Sequence, residues 1–495
     1  MEQVQKKSGN TQTGSPSTGF TLNRVFRSIL VFLALVLLGG CTPLGVPVAE
    51  LPVPTAEPDG INSARLSCFL ALKDEEGPAI RLEVSGVEVL SNGLWVPIST
   101  GPLKIDSEKL GASQIFLGGQ AVPPGSYKSL RMTVTGGMMW KAEGGYVDIA
   151  QEPFDVEVGL TPGLNLEPED SRSLFVTWDV EKSLDLDNKL RPFFTVTPSL
   201  KQLPVDLIYV ACPDIDTIFV VRADKNWVVD SFGLKGGPTY LVIDPDPLRR
   251  RLYVLASRER TIKVVDLSSY RVIDYLPIPL NDEPTFMAVS SDGQGAFLLD
   301  ERSGYLSRMD LNTGRSDARV LLGFRPNYAV FLEEQNLLAV SLSLSQRVVL
   351  LDPMTLAEVR TIPSGSSPRG LLVAENQLYI AESGDDTVSV FDLDGRDGQR
   401  RLMVGGGPRR LSEVDNRIYV SNYESGSLSV LMSGQLGVVQ EIPGLGRPQE
   451  MAFDRAYRRL YVSDGEGLSV IDVNANLLLG RIVLGARSLG LDVIQ

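Results

Sequence analysis

The chain has 495 residues and no histidine. That absence excludes Ser-His-Asp and Cys-His catalysis, zinc sites with an imidazole ligand and covalent c-type haem, whose C-x-x-C-H motif needs one. Any chemistry here must use carboxylates, Lys, Arg, Tyr, Ser or a metal held by oxygen. Cysteine is scarce, with three in all, and basic residues are the minority: 47 Lys and Arg against 61 Asp and Glu, a formal net charge of −14. This balance argues against nucleic acid as a partner, because such binding rests on clustered Lys and Arg meeting phosphates. No G-x-x-x-x-G-K-[ST] phosphate loop and no G-x-S-x-G nucleophile elbow is present. Neither a cofactor nor a metal site is implied. What remains is a globular composition, 22% charged and 43% hydrophobic. Its 47 Gly and 31 Pro predict many turns.

The N-terminal part reads as an address. Residues 1–23 are polar; Arg24 and Arg27 then precede an apolar run over 29–38. A membrane-spanning helix needs about 20 such residues, so this shorter run is a signal-peptide core. It ends in Leu38-Gly39-Gly40-Cys41, which resembles the bacterial lipobox. The resemblance implies a lipoprotein signal peptide over 1–40, cleavage before Cys41, and lipidation of the Cys41 thiol. It also implies a cell-envelope location, at the outer membrane in a diderm, since Thr42 and not Asp follows the cysteine. The mature chain would carry about −17, so acyl chains and not charge would hold it to the membrane. Residues 41–60 are rich in Pro and small residues and read as a semi-extended tether. Cys68 and Cys212 fall in different predicted domains. An interdomain disulfide is permitted in that compartment, and two buried free thiols are the alternative.

Residues 61–203 are dominated by period-2 alternation, as in Ile80–Leu90 and Leu130–Val134. About eight strands with no competing helix fit an antiparallel β-sandwich. The order of Val87-Glu88-Val89, Trp95-Val96-Pro97-Ile98, Val122-Pro123-Pro124-Gly125-Ser126-Tyr127, Leu130-Arg131-Met132 and Trp178-Asp179-Val180-Glu181-Lys182-Ser183-Leu184 resembles the bacterial lipoprotein domain of unknown function 4382. That resemblance implies a fold and no activity. The acidic run Asp179, Glu181, Asp185, Asp187 could offer oxygen ligands to calcium or form a solvated turn.

Residues 204–495 are a sevenfold repeat. An apolar second strand recurs at Leu207-Ile208-Tyr209-Val210, Leu252-Tyr253-Val254, Ala296-Phe297-Leu298, Leu337–Val340, Leu378-Tyr379-Ile380, Ile418-Tyr419-Val420 and Leu460-Tyr461-Val462. A turn proline recurs at Pro238, Pro284, Pro326, Pro368, Pro408 and Pro448, with Ala486 in the seventh place. Units of about 42 residues with four short strands each give the period of a β-propeller. Tyr419-Val420-Ser421-Asn422, Tyr461-Val462-Ser463-Asp464 and Asp386-Thr387-Val388-Ser389-Val390-Phe391-Asp392 resemble the YVTN family of propellers. Because the repeat starts on a second strand and ends on an inner one, Leu489–Ile494 is expected to complete the first blade. The four tryptophans do not recur by blade, unlike those of quinoprotein propellers.

In such a fold the turn before the inner strand and the loop between strands two and three share one face around the channel. Arg325, Arg369, Arg409, Arg447 and Arg487 come from five consecutive units near that mouth, with Arg410 beside them. Guanidinium groups suit carboxylate or phosphate. The competing expectation is that they are solvated turn residues paired with Glu382, Asp385, Glu424 and Glu466. Two functions follow. One is a non-catalytic, lipid-anchored protein whose propeller face binds an envelope protein, a glycan or a small anionic ligand. The other is a hydrolase resembling the lactonase propellers, acting on a sugar lactone; the family's reliance on histidine near the channel counts against it here.

Overall fold

The computed structural model describes residues 63–494 apart from 76, 143, 151, 201–204, 279–282, 395–397 and 434–436. The leader 1–40, Cys41 and the tether to 60 lie outside the described residues. The N-terminal domain has ten strands: β1 (Ala64–Leu72), β2 (Ile80–Ser91), β3 (Leu94–Ser99), β4 (Leu103–Asp106), β5 (Gln114–Val122), β6 (Gly125–Lys141), β7 (Gly145–Ala150), β8 (Phe154–Leu166), β9 (Ser171–Asp179) and β10 (Phe193–Thr197).

These strands do not form the expected sandwich. They make one mixed sheet in the order β3-β2-β6-β8-β10-β9-β1-β5, with β4 on β2 and β7 on β6. β1 runs parallel to β9, and β10 meets β8 in parallel, so the path curls round on itself instead of splitting into two sheets. The ends nearly meet: a Cβ on Gly118 of β5 would lie 2.6 Å from the Ser99 Cβ of β3. Alternation along each strand marks inside and outside equally for a sandwich and for a barrel, and the pairing decides between them. The barrel interior holds Leu66, Cys68, Leu70, Leu82, Val89, Leu130, Met132 and Trp178. The acidic run is built as a turn: Asp179 pairs with Lys73 and Lys182, and Asp185 accepts the backbone N–H of Asp187 and Lys189. Cys68 and Cys212 are free and buried in separate cores, and burial pushes both thiols up.

The remainder is seven four-stranded antiparallel sheets arranged as a propeller. Blade 1 combines Leu207–Cys212, Thr217–Arg222 and Trp227–Gly233 with the closing strand Leu491–Ile494, whose residues 491–494 pair with Val210 through Leu207. Blades 2 to 7 follow in chain order. Apolar clusters fill the space between neighbouring blades. In blades 6 and 7 the tyrosine of the second strand crosses that gap. Tyr419 donates to Asn476 Oδ1 of the next blade at 2.6 Å, and Tyr461 to Asn226 Oδ1 at 2.7 Å. Both asparagines occupy left-handed turn positions, with φ of 51° and 57°, which Asn tolerates. The aspartates that end third strands cap the following turn: Asp266, Asp310, Asp352 and Asp472 each accept two backbone N–H groups.

The barrel packs on the seam between blades 7 and 1. Phe69 lies 6.0 Å from Phe175 and 6.1 Å from Phe219 of blade 1, ring centre to ring centre. Ser173 bonds Ser231, Thr217 bonds Ser171, and Trp227 donates to the Ala112 carbonyl. A Cβ on Gly485 would sit 2.2 Å from the Phe116 ring, so any side chain here would force that ring to move; its φ of 67° also favours glycine.

Ring closure depends on few residues, and two consequences can be measured. Leu491 is buried, so Leu491→Ala is expected to cost about 2–5 kcal/mol. Removal of 489–495 would cost more and expose a sheet edge to aggregation; thermal melting and light scattering would show both.

One carboxyl of blade 1 and one of blade 7 have raised pKa values. Burial pushes Asp492 to about 6, against the Ile243 and Val493 N–H groups that it accepts. Burial and then the neighbouring Asp206 push Asp454 to about 6. A carboxyl raised above its unfolded value near 4 stabilises most below that value, and the benefit fades as pH rises through 6. Stability is therefore expected to fall between pH 4 and 6.5. Asp492→Asn with Asp454→Asn should flatten the melting-temperature profile across that window.

Candidate functional site

Strand pairing fixes the register of the channel. Leu241, Met287, Ala329, Leu371, Leu411, Met451 and Leu491 stand opposite equivalent residues of the second strands. Counting back three gives the six turn prolines and, in the seventh place, Ser488 instead of Ala486. Arg487 therefore precedes the turn position, as Arg325 and Arg447 do, whereas Arg369 and Arg409 follow it. A two-residue offset in the closing turn hides this in the sequence.

Two residues after the turn position stand Tyr240, Phe286, Tyr328, Gly370, Arg410, Glu450 and Gly490. The rings of Tyr240 and Phe286 are 4.7 Å apart, and those of Phe286 and Tyr328 4.4 Å. Arg410 lies 4.5 Å over Tyr328, pairs with Glu450, and reaches Asn327 Oδ1 of blade 4 at 3.2 Å. At the two glycines, inner strands close up: a Cβ on Gly370 would be 2.4 Å from the Arg409 carbonyl, and one on Gly490 2.8 Å from the Tyr240 Cα. This layer fills the axis with aromatic rings and one compensated ion pair.

The predicted arginines lie on the rim of this layer. Arg409 stacks on Tyr423 with its Cζ 3.4 Å from the ring centre, and Arg447 is 5.7 Å from the same centre. Arg409 also donates to Gln449 Oε1 at 3.2 Å, and its Nε is buried with no hydrogen-bond partner. Arg369 is half-buried in the same charged group. Burial is the first cause of its lowered pKa; Glu301 opposes that shift, and Arg410 and Arg325 add to it. Burial first, then Arg369, brings Arg409 down to about 10. Each guanidinium thus raises the cost of charging the other.

Not all five arginines are alike. Arg325 is 3.7 Å from Glu301, and Arg487 forms a two-pronged pair with Asp214. Among the described residues Arg369, Arg409 and Arg447 form no ion pair. The acids expected to neutralise the rim are not its ion-pair partners: Glu382 and Asp385 both face Arg401. Tyr423, Glu301 and Glu450 are contributors that the sequence reading left out. Tyr423 had a signal, since the other blades carry Pro, Ser or Asp at the residue after the second strand. A cavity of about 160 Å³ lies at the opposite ends of the inner strands, lined by Ile243, Asp244, Asp246, Pro247, Arg250, Val493 and Ile494, and involves none of these arginines.

No family model matches the chain. Antigen Lp49 of Leptospira interrogans serogroup Icterohaemorrhagiae serovar copenhageni is 28% identical over 137 residues, covering 24% of this chain and 29% of that protein. The chain therefore matches less than a third of that relative's length. Among solved structures, a functionally unknown protein from Desulfotomaculum acetoxidans superposes with a TM-score of 0.51 at 12% identity, over 58% of this chain and 98% of its own. A putative 6-phosphogluconolactonase from Bacteroides fragilis gives 0.51 at 12% identity, over 60% and 100%. At such identity the likeness is one of fold: each neighbour superposes almost whole on the share of this chain that the propeller occupies.

Proposed function

We propose that this is a non-catalytic recognition protein of the bacterial cell envelope, held to a membrane by acyl chains on Cys41, that binds an anionic ligand at the arginine rim of its propeller. The observation that carries the reading is the pair Arg369 and Arg409. Two half-buried, electrostatically coupled guanidinium groups stand on neighbouring inner strands, with no carboxylate in ion contact among the described residues. Desolvated like charges are costly, and a bound anion would relieve that cost with charge-assisted hydrogen bonds. The surrounding elements are suited to holding such a site still: Tyr423 under Arg409, Gln449 at its edge, and the packed layer beneath. The finer identities belong to the same proposal. The lipobox supports anchoring and an outer-membrane location, and the motif order of residues 61–203 supports kinship with the domain of unknown function 4382. The ligand class is an envelope protein, a glycan or a small acid carrying anionic groups.

Titration calorimetry of the mature chain with citrate and with inorganic phosphate tests the site. The double variant Arg369→Ala, Arg409→Ala is expected to lose at least about tenfold in affinity, since hydrogen bonds to charged groups are worth about 1.5–3 kcal/mol each. Equal binding by parent and variant, or no binding by either, would sink the reading. Turnover of a sugar lactone that disappears in the same variant would replace it with the hydrolase reading that the lactonase-like fold suggests. For the anchor, radiolabelled palmitate should enter the parent in bacterial cells and be absent from Cys41→Ser; equal labelling would refute lipidation at that residue.

A further inference from the structure

The rim arginines that have no ion-pair partner among the described residues are not scattered. Arg369, Arg409 and Arg447 belong to three consecutive blades, 5, 6 and 7, and the neutralised Arg325 and Arg487 stand on the blades that flank them. The positive charge is therefore an arc along the rim. Its two ends differ in depth: Arg369 and Arg409 are half-buried, whereas Arg447 is exposed. Tyr423 links them, because the guanidiniums of both Arg409 and Arg447 lie over its ring. Below the arc the axis is filled by Tyr240, Phe286, Tyr328 and the Arg410–Glu450 pair. A ligand would lie across the rim and not down the channel.

From this arrangement we infer that the rim takes a polycarboxylate: one carboxylate seats between Arg369 and Arg409, and a second on the same molecule meets Arg447. The inference rests on the reading of the rim as an anion site and adds its valence and chemistry. A single anion would answer the buried pair and leave Arg447 uncompensated. The Arg409 guanidinium rests on Tyr423, its Cζ 3.4 Å from the ring centre, with one Nη donating to Gln449 and, among the described residues, a buried Nε that has no partner. A carboxylate would take charge-assisted hydrogen bonds from the donors of the two arginines that are not already engaged. A free polycarboxylic acid and an acidic stretch of polypeptide share this chemistry. Linking the two contacts in one molecule makes the second binding event intramolecular, so affinity rises without a new kind of contact.

The experiment is calorimetry on the mature full chain with acetate, citrate and a hexaglutamate peptide, at fixed ionic strength. Citrate or hexaglutamate is expected to bind at least about tenfold more tightly than acetate. Whichever of the two gains more identifies the source. In Arg447→Ala that advantage should collapse toward one. Arg458→Ala, which removes a pair with Asp415 off the rim, should keep the full advantage. Acetate binding with no gain for either polyvalent probe, or a gain that survives Arg447→Ala, would overturn the inference and leave the anion site standing. Absence of binding by all three probes would overturn both.

Discussion

The four-residue pairing of Leu491–Ile494 with Leu207–Val210 closes the ring, and the propeller's order depends on it. Six blades are each one continuous meander, but blade 1 is assembled from segments almost 300 residues apart. Without that pairing, the inner edge of blade 1 would be an open sheet edge. The arginine rim depends on the same closure. The channel floor is a layer contributed at or just before the start of all seven inner strands, and Gly490, just before the closing strand, packs directly on Tyr240 of blade 2. A ring that gaped there would lose the axial contacts that hold Arg410 and Glu450 under the rim.

The barrel acts on this closure from outside. It packs on the blades that flank the seam, and its Phe116 sits against Gly485, two residues before Arg487. Thus the turn that brings the last arginine to the rim is wedged by a side chain of another domain. β1 and β9 show how the contact is made: Leu66, Cys68 and Leu70 point into the barrel, while Phe69 and Phe175 on the other face join the blade 1 core. Both faces are buried over much of these strands, which is why Cys68–Leu72 of β1 and Leu174–Val176 of β9 read as short apolar runs without alternation.

Those runs also show what the sequence could and could not reveal. The propeller was legible because its repeat puts the same apolar triplet, turn and aspartate cap into each blade, and such redundancy survives degenerate copies. Closure was legible because the repeat begins and ends out of phase. The barrel was not. Its architecture is set by two parallel pairings, one of which joins β1 to the distant β9, and alternation carries no record of which strand lies beside which. The same limit applied at the site. Five arginines could be placed on one rim from their positions in the repeat. Which of them were neutralised depended on Glu301 and Asp214, whose proximity the fold alone sets, and the two-residue offset at Ser488 concealed the place of Arg487.

Net charge was a poor guide to the local charge of the arginine rim for a physical reason. Charges farther apart than the Debye length, about 8 Å at physiological ionic strength, are largely screened from one another. An overall −14 therefore says little about a rim a few residues across. Locally, the sign is set by which acids come within contact distance, and here the nearby carboxylates meet Arg325, Arg410 and Arg487. The three arginines left over owe their character to position: partial burial weakens solvent screening around Arg369 and Arg409, and the Tyr423 ring takes the place of water on one face of Arg409. Holding two guanidiniums in that state costs stability in the free protein, which gives a carboxylate more to relieve than it would find at a solvated arginine.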